Sequence, residues 1–419
     1  MHIAQYSCGV LSIESHASLP LAGYGRRSIK VPSVAAGLEA NWISFGPRDA
    51  LRLIIAVDAL FSSDTLETGI RKQLASLGLG VAGCMIVASH THYAPSLDLF
   101  KPRLGNADPD HIGEICKRIA RDILNKYDAE RRWSPVSWSW GLARNRRSVY
   151  RRATKLQLSI RSWPPLRVAT QIAPNPRVEI DQAMRLWIAR NSDDAPIFAV
   201  ATWPCHATSR ADGSVSSADF IAPLRQAIRD RLGRTLPVVF FPGASGDIRP
   251  AFWQGRSLKQ WLYPYPFQRT FTLPSPRTEA EFDESIRATV DAILTARMTR
   301  LAFTDSVLSY SEFPLSDFMT DANDQTVPLY RAVLGGVEIT GVGAELSMGW
   351  TAELDYVQKP EKNILSGCVG RVFGYLPTEE QIPKRGYEVD GFRKAFDITG
   401  QYQPEIAIGL KLRRLIQRL

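Results

Sequence analysis

Apolar, β-branched runs nearly free of charged residues recur along the chain and predict buried strands at Arg52–Ala59, Cys84–Ser89, Ile197–Trp203, Pro237–Phe241 and Val337–Val342. Between them the period lengthens to that of a helix. Asp64 followed by Glu67 reads as a capping box for a helix through about Leu77. Asp108-Pro109 reads as an N-cap with proline at the first helical position, and Ile112, Ile115, Ile119 and Ile123 then share one face. Further helices are predicted from Asp219 to Leu232, and from a cap at Thr278-x-x-Glu281 through about Arg297. An amphipathic basic helix from Ile406 to Leu419 is expected to dock on the body of the protein. Strands alternating with helices predict an α/β fold, with a mixed central β-sheet, flanking helices, and functional groups at the C-terminal ends of the strands. No linker or internal repeat divides the chain, so residues 1–419 are expected to form a single domain. Two stretches, 96–110 and 252–278, are rich in Pro, Gly and aromatics. The second carries Trp253, Trp261, Tyr263, Tyr265 and Phe267, and both are candidate functional loops.

Composition narrows the class. Hydrophobic residues at 45% and charged residues at 22% are the balance of an ordinary globular protein, which excludes disordered, collagen-like and coiled-coil chains. No stretch approaches the roughly 18 consecutive apolar residues of a membrane-spanning helix. The first residues lack the basic and apolar regions of a secretory signal, so a cytoplasmic location is expected. Cys8, Cys84, Cys116, Cys205 and Cys368 are scattered and odd in number, which suits reduced thiols. The 51 basic against 42 acidic residues leave +9, a moderate excess that favours anionic partners. The densest basic run is Arg144, Arg146, Arg147, Arg151, Arg152 and Lys155, which reads mostly as a solvated patch. No nucleic-acid-binding signature accompanies it, so no nucleic acid is expected as a partner.

The chemistry-bearing residues cluster at predicted strand ends. Ser89-His90-Thr91-His92 follows one strand, Cys205-His206 another, and Gly343-Ala344-Glu345 a third, while a fourth runs into Gly243-Ala244-Ser245-Gly246-Asp247. Alternate residues on extended backbone point to one side, so His90 and His92 can face one cavity. With His206 and Glu345 they form the kind of His/Glu set that holds a catalytic zinc with a position open for water. Other His-x-His chemistries fit less well, since Tyr93-Ala94-Pro95 follows where a metallo-β-lactamase-type site needs a further Asp-His pair. No Gly-x-Ser-x-Gly elbow occurs, Gly243-Ala244-Ser245-Gly246 being a near miss.

Read in order, these segments resemble the neutral/alkaline (non-lysosomal) ceramidases. Ser89-His90-Thr91-His92-Tyr93-Ala94-Pro95 is similar to the family's Thr-His-Thr-His-Ser-Gly-Pro signature. Gly23-Tyr24-Gly25, Asn145-Arg146, Cys205-His206-Ala207-Thr208-Ser209, Gly243 to Pro250 and Gly343-Ala344-Glu345-Leu346 resemble further family segments. So do Phe373-Gly374-Tyr375-Leu376-Pro377-Thr378 and Gly386-Tyr387-Glu388. The resemblance spans almost the whole chain as one catalytic domain, with no counterpart of the family's C-terminal immunoglobulin-like domain.

That resemblance implies a Zn2+ ion held by His90, His206, Glu345 and Tyr375. It implies His92 in proton transfer, Arg146 orienting the substrate, and Asp247 of the glycine–aspartate turn among the catalytic residues. The chain also departs from the family. The serine proposed as a nucleophile in the family's Gly-Asp-x-Ser-Pro turn is replaced by Arg249, which could bind an anionic part of the substrate, and Tyr93 reshapes the pocket wall. The expected activity is zinc-dependent hydrolysis of a linear N-acyl amide by an activated water, on ceramide or a related sphingolipid-like N-acylated lipid. The alternatives are an N-deacetylase or deacylase of an amino sugar or glycan precursor, an esterase, or a non-catalytic binding protein that lost turnover with its serine.

Overall fold

The computed structural model describes residues 6–15, 19–24, 37–129, 134–158, 166–254, 270–322, 324–356 and 358–419. Gly25, Trp261, Tyr263, Tyr265 and Phe267 lie outside the described residues, as does the side chain of Lys155. The mixed α/β expectation holds, but the strands are distributed over three main sheets and several two-stranded pairs. The first sheet has the order Tyr6–Ser12, Glu39–Phe45, Leu51–Val57, Val81–Ala88, with only the last pair parallel. The second runs Val238–Phe241, Pro196–Thr202, Ala183–Arg190, Ser137–Arg144, Thr299–Ala302, with only its first pair parallel. The third runs Val307–Pro314, Thr326–Leu334, Val337–Val342, Asn363–Ser366, again with one parallel pair, at its end.

The apolar runs are explained by burial on both faces. In the first sheet Trp42, Leu53, Ile55 and Ile86 join the core on the helix side, which also takes Ile70 and Leu74 of helix Asp64–Ser76 and Ile112, Ile115 and Ile119 of helix Pro109–Asp128. The residues between them, Ile43, Ile54, Met85 and Val87, enter a second core with Tyr330, Leu334 and Ile339 of the third sheet. The second sheet alternates in the same way. Leu186, Ile188, Val238 and Phe240 face the helices, and Trp187, Phe198, Val239 and Phe241 face the third sheet. A strand with water on neither side has no polar face to show, and each such Val, Ile or Phe contributes about 1.5–3 kcal/mol on burial.

Polar groups tie the first two sheets together. Val238 N–H at the edge of the second donates to Asn41 Oδ1 of the first at 2.9 Å. Arg225 and Arg229 of helix Ile221–Leu232 reach Asp58 at 2.5 Å and Glu39 at 2.6 Å. Two caps differ from expectation. Ser63, not Asp64, caps the helix Asp64–Ser76, because its hydroxyl accepts from Leu66 N–H at 3.3 Å. Ser275, not Thr278, caps Pro276–Thr295, with Thr278 as the reciprocal member of the box. The terminal helix Ile408–Arg418 docks through buried Ile408, Leu412 and Leu415. In the stretch 96–110, Leu97, Asp98 and Lys101 are buried while Phe100 projects, so much of it is packed onto the body. No described helix is long and apolar enough to cross a membrane.

Candidate functional site

Three strand ends, one from each main sheet, deliver the polar groups. Ala88 ends its strand with its N–H on Cys368 O, and Ser89 N–H donates to Val57 O at 2.9 Å. The chain then turns at His90, whose φ of +61° is a left-handed conformation uncommon outside glycine. The His90 imidazole is buried, with Nδ1 3.1 Å from Leu60 O. His206 follows the strand Pro196–Thr202, and its Nδ1 is 2.7 Å from Ser245 O. A carbonyl oxygen can only accept, so Nδ1 of each ring donates to it and Nε2 is the atom turned toward the site. Glu345 lies just beyond Val337–Val342, on a two-residue strand paired in parallel with Tyr375–Leu376. Its Oε2 is 3.2 Å from His90 Nε2 and 3.2 Å from His206 Nε2. Gly246 makes this approach possible: a Cβ there would stand 2.7 Å from Leu346 O and 3.0 Å from Glu345 O.

The site has the features of a cation-binding site. Donor atoms of His90, His92 and His206 lie within 4.8 Å of one another. His90 Nε2, both ring nitrogens of His92 and Glu345 Oε2 are inaccessible yet have no hydrogen-bond partner. Buried polar atoms left without partners are costly, and several converging on one point are accounted for by an ion. Burial, then Arg151, pulls the His206 pKa down to about 3, and burial with the other two histidines lowers that of His92, so both rings are neutral, the form that ligates. Burial opposes ionisation of Glu345, but His90 and His206 hold its carboxyl well below the usual range. The nitrogen and oxygen donors suit zinc among other divalent ions. The Tyr375 phenol adjoins both Glu345 and Arg151.

The remaining predicted residues separate. Arg146 is exposed at the turn after Ser137–Arg144. The guanidinium that reaches the histidines belongs to Arg151, with Nη1 3.1 Å from His206 Nε2. Arg151 Nε donates to Glu388 Oε1 at 2.8 Å, its guanidinium lies 5.4 Å from the Tyr375 ring centroid, and its Nη2 is buried without an acceptor. Asp247 is buried behind the site, accepting from Met348 N–H at 2.8 Å and Gln381 Nε2 at 2.7 Å. This places it as a brace between the glycine-rich turn and two later segments. Tyr93 is buried, with its hydroxyl donating to Arg210 O at 3.3 Å. Tyr24 stands 4.8 Å from the His92 ring and is 45% exposed, at the mouth. Arg249, half-buried, lies with its guanidinium 4.9 Å from the Phe271 centroid. Arg151 and Cys368, whose Sγ is 3.5 Å from His90 Nδ1, were not singled out from sequence. The only signal for Arg151 is its place in a basic run, and its partner Glu388 is 237 residues away.

Compared by sequence, the chain matches no protein-family model and no curated protein. Compared by structure, it superposes over 99% of its length on 75% of the crystal structure of neutral ceramidase from Pseudomonas aeruginosa, with a TM-score of 0.70 at 14% identity. The fold is that of the neutral ceramidases. A ceramidase complexed with C2 gives a TM-score of 0.69 at 14% identity, over 99% of this chain and 76% of that one. Within the neutral ceramidase fold of this protein, the histidine and glutamate donors sit where the three sheets meet.

Proposed function

We propose that this protein is a zinc-dependent hydrolase of linear amides that removes the acyl group from ceramide or a related N-acylated lipid. The observation that carries the proposal is the convergence of His90, His206 and Glu345 around unpartnered buried donor atoms, in a fold shared with neutral ceramidases. His90, His206 and Glu345 would hold the ion, with Tyr375 beside Glu345. When bound, zinc lowers the pKa of a water toward neutrality and polarises an amide carbonyl.

The protein's own groups then have distinct tasks. Neutral, unpartnered His92 takes up a proton at a ring nitrogen and returns it to the departing amine. Arg151, fixed by Glu388, offers Nη2 to the amide oxygen as negative charge develops on it. One such donor is worth about 2.7–4 kcal/mol of transition-state stabilisation. Glu388 and the Tyr375 ring hold Arg151 in position and do not touch the substrate. No serine attack is required, which agrees with Arg249 in place of the family's serine.

The test is elemental analysis of purified protein together with hydrolysis of an N-acyl series of graded chain length. A single zinc per chain is expected, lost in Glu345→Ala. Chelator-sensitive turnover restored by zinc, with preference for long acyl chains, is expected alongside it. Full zinc retention in the variant, or inactivity of zinc-loaded protein on every amide, overturns the proposal. Preference for an acetylated amino sugar redirects it to deacetylation.

A further inference from the structure

Among the described residues, the fully buried guanidinium groups are matched by acids. Arg151 and Arg152 share Glu388, Arg225 faces Asp58 and Arg229 faces Glu39. Arg249 breaks the pattern. Among the described residues its guanidinium meets the Phe271 ring and no carboxylate. Its backbone is fixed opposite Val149 in the short pair Ile248–Pro250 with Ser148–Tyr150, and its neighbours Ile248 and Pro250 are buried. The side chain is therefore aimed, by strand alternation, away from the core that holds those neighbours. Ile248 O accepts from His206 N–H at 3.2 Å, and Ile248 pairs with Tyr150 next to Arg151, so the short strand that carries Arg249 borders the donor cluster. Burial makes its charge costly there, and Arg151 adds to that cost. A planar fork of donors held against an aromatic face, with no internal acid, is complementary to a carboxylate or phosphate.

We infer that Arg249 selects substrates carrying an anionic group close to the scissile amide, so that the preferred substrate is an acidic N-acyl amine and not a neutral one. The inference rests on the amidase reading and names its substrate class. A carboxylate and a phosphate share the chemistry that Arg249 reads, and the substrates below separate them. Losing a charge-assisted, bidentate contact reduces affinity about tenfold to a hundredfold.

The experiment compares N-lauroyl-glycine, N-lauroyl-phosphoethanolamine and neutral N-lauroyl-ethanolamine on wild type, Arg249→Met and Arg249→Lys. It measures kcat/KM with zinc-loaded protein, and calorimetric binding with chelated protein. Wild type is expected to favour one acidic substrate over the neutral one by about tenfold or more. That ratio is expected to collapse in Arg249→Met and to recover only in part in Arg249→Lys, since lysine keeps the charge but not the fork. Which acidic compound leads identifies carboxylate or phosphate. Equal ratios in wild type and a folded Arg249→Met, verified by circular dichroism, overturn the inference while leaving the amidase reading intact. If no amide is hydrolysed but chelated wild type still binds an acidic compound through Arg249, the amidase reading fails and the anion site stands. Absence of both turnover and Arg249-dependent binding refutes both.

Discussion

Glu388→Gln removes one charge and leaves two buried cations without it. Glu388 is 1% exposed; it accepts from Arg151 Nε at 2.8 Å and Arg152 Nη1 at 2.5 Å, and each arginine is only 4% exposed. Glutamine keeps the shape, but its amide presents an N–H₂ to one of the two guanidinium groups, donor facing donor. Breaking a buried pair by neutralising one member costs about 3–5 kcal/mol, because the desolvated partner charge remains. An unfolding entropy of about 2.1 cal/mol/K per residue, taken over 419 residues, makes that a fall in Tm of roughly 3–6 °C. Urea denaturation at pH 7 reads the free energy directly, provided m is unchanged. A second substitution sharpens the test. Arg152→Met in the Glu388→Gln background removes one stranded cation, so the double variant is expected to be less destabilised than the sum of the two singles. A loss below about 1 kcal/mol, the worth of an exposed ion pair, would refute the reasoning.

Other expectations are independent of that cluster. Burial opposes ionisation of Glu39, but Arg225 and Arg229 bring its pKa down to about 2 from 4.5. A carboxyl with a depressed folded pKa contributes stability above its ordinary value and loses it as pH falls, here between about 4.5 and 2. About 3 kcal/mol is at stake, and chemical denaturation across that range should show a flatter decline in Glu39→Gln. Burial, with Glu379 and Glu380 nearby, raises the Glu353 pKa to about 7. Its protonated form favours the folded state at low pH, and that support is lost as pH rises through 7. Glu353→Gln should therefore gain stability relative to wild type at pH 8 and not at pH 4, and the opposite order in thermal melts would sink the assignment. In Gly246→Ala the new methyl meets Leu346 O at 2.7 Å. A loss of about 1–3 kcal/mol from overpacking is expected together with weakened zinc retention, whereas unchanged zinc content would show that Glu345 does not depend on this close approach.

What the sequence made legible follows from what each pattern encodes. The predicted runs Cys84–Ser89 and Ile197–Trp203 were readable because burial on two faces leaves an apolar run that no surface strand needs, whereas the less buried Val81–Gly83 at the start of the first strand escaped the pattern. His90, His92 and His206 were readable because imidazoles immediately after such strands lie where loops open. How the strands are divided among three sheets was not readable, since pairings such as Val337–Val342 with Asn363–Ser366 depend on register between distant segments. Arg151 was hidden by its neighbours. Arg144, Arg146 and Arg147 are exposed, and only Glu388, contributed by the π-helical turn Tyr387–Gly391, distinguishes Arg151 and Arg152 from them. Ser63 and Asp64 illustrate a smaller ambiguity, in which adjacent residues of equal capping chemistry shift a boundary by one.

His90, His206 and Glu345 each hang from a different sheet. A nascent or partly unfolded chain with only two of those layers in place lacks part of the ligand set, and a polypeptide truncated before Glu345 lacks the carboxylate altogether. If the site binds zinc as proposed, metal uptake would act as a proofreading step. An ion captured tightly would then certify that all three layers have docked, with its binding energy withheld from every intermediate that has not finished assembling.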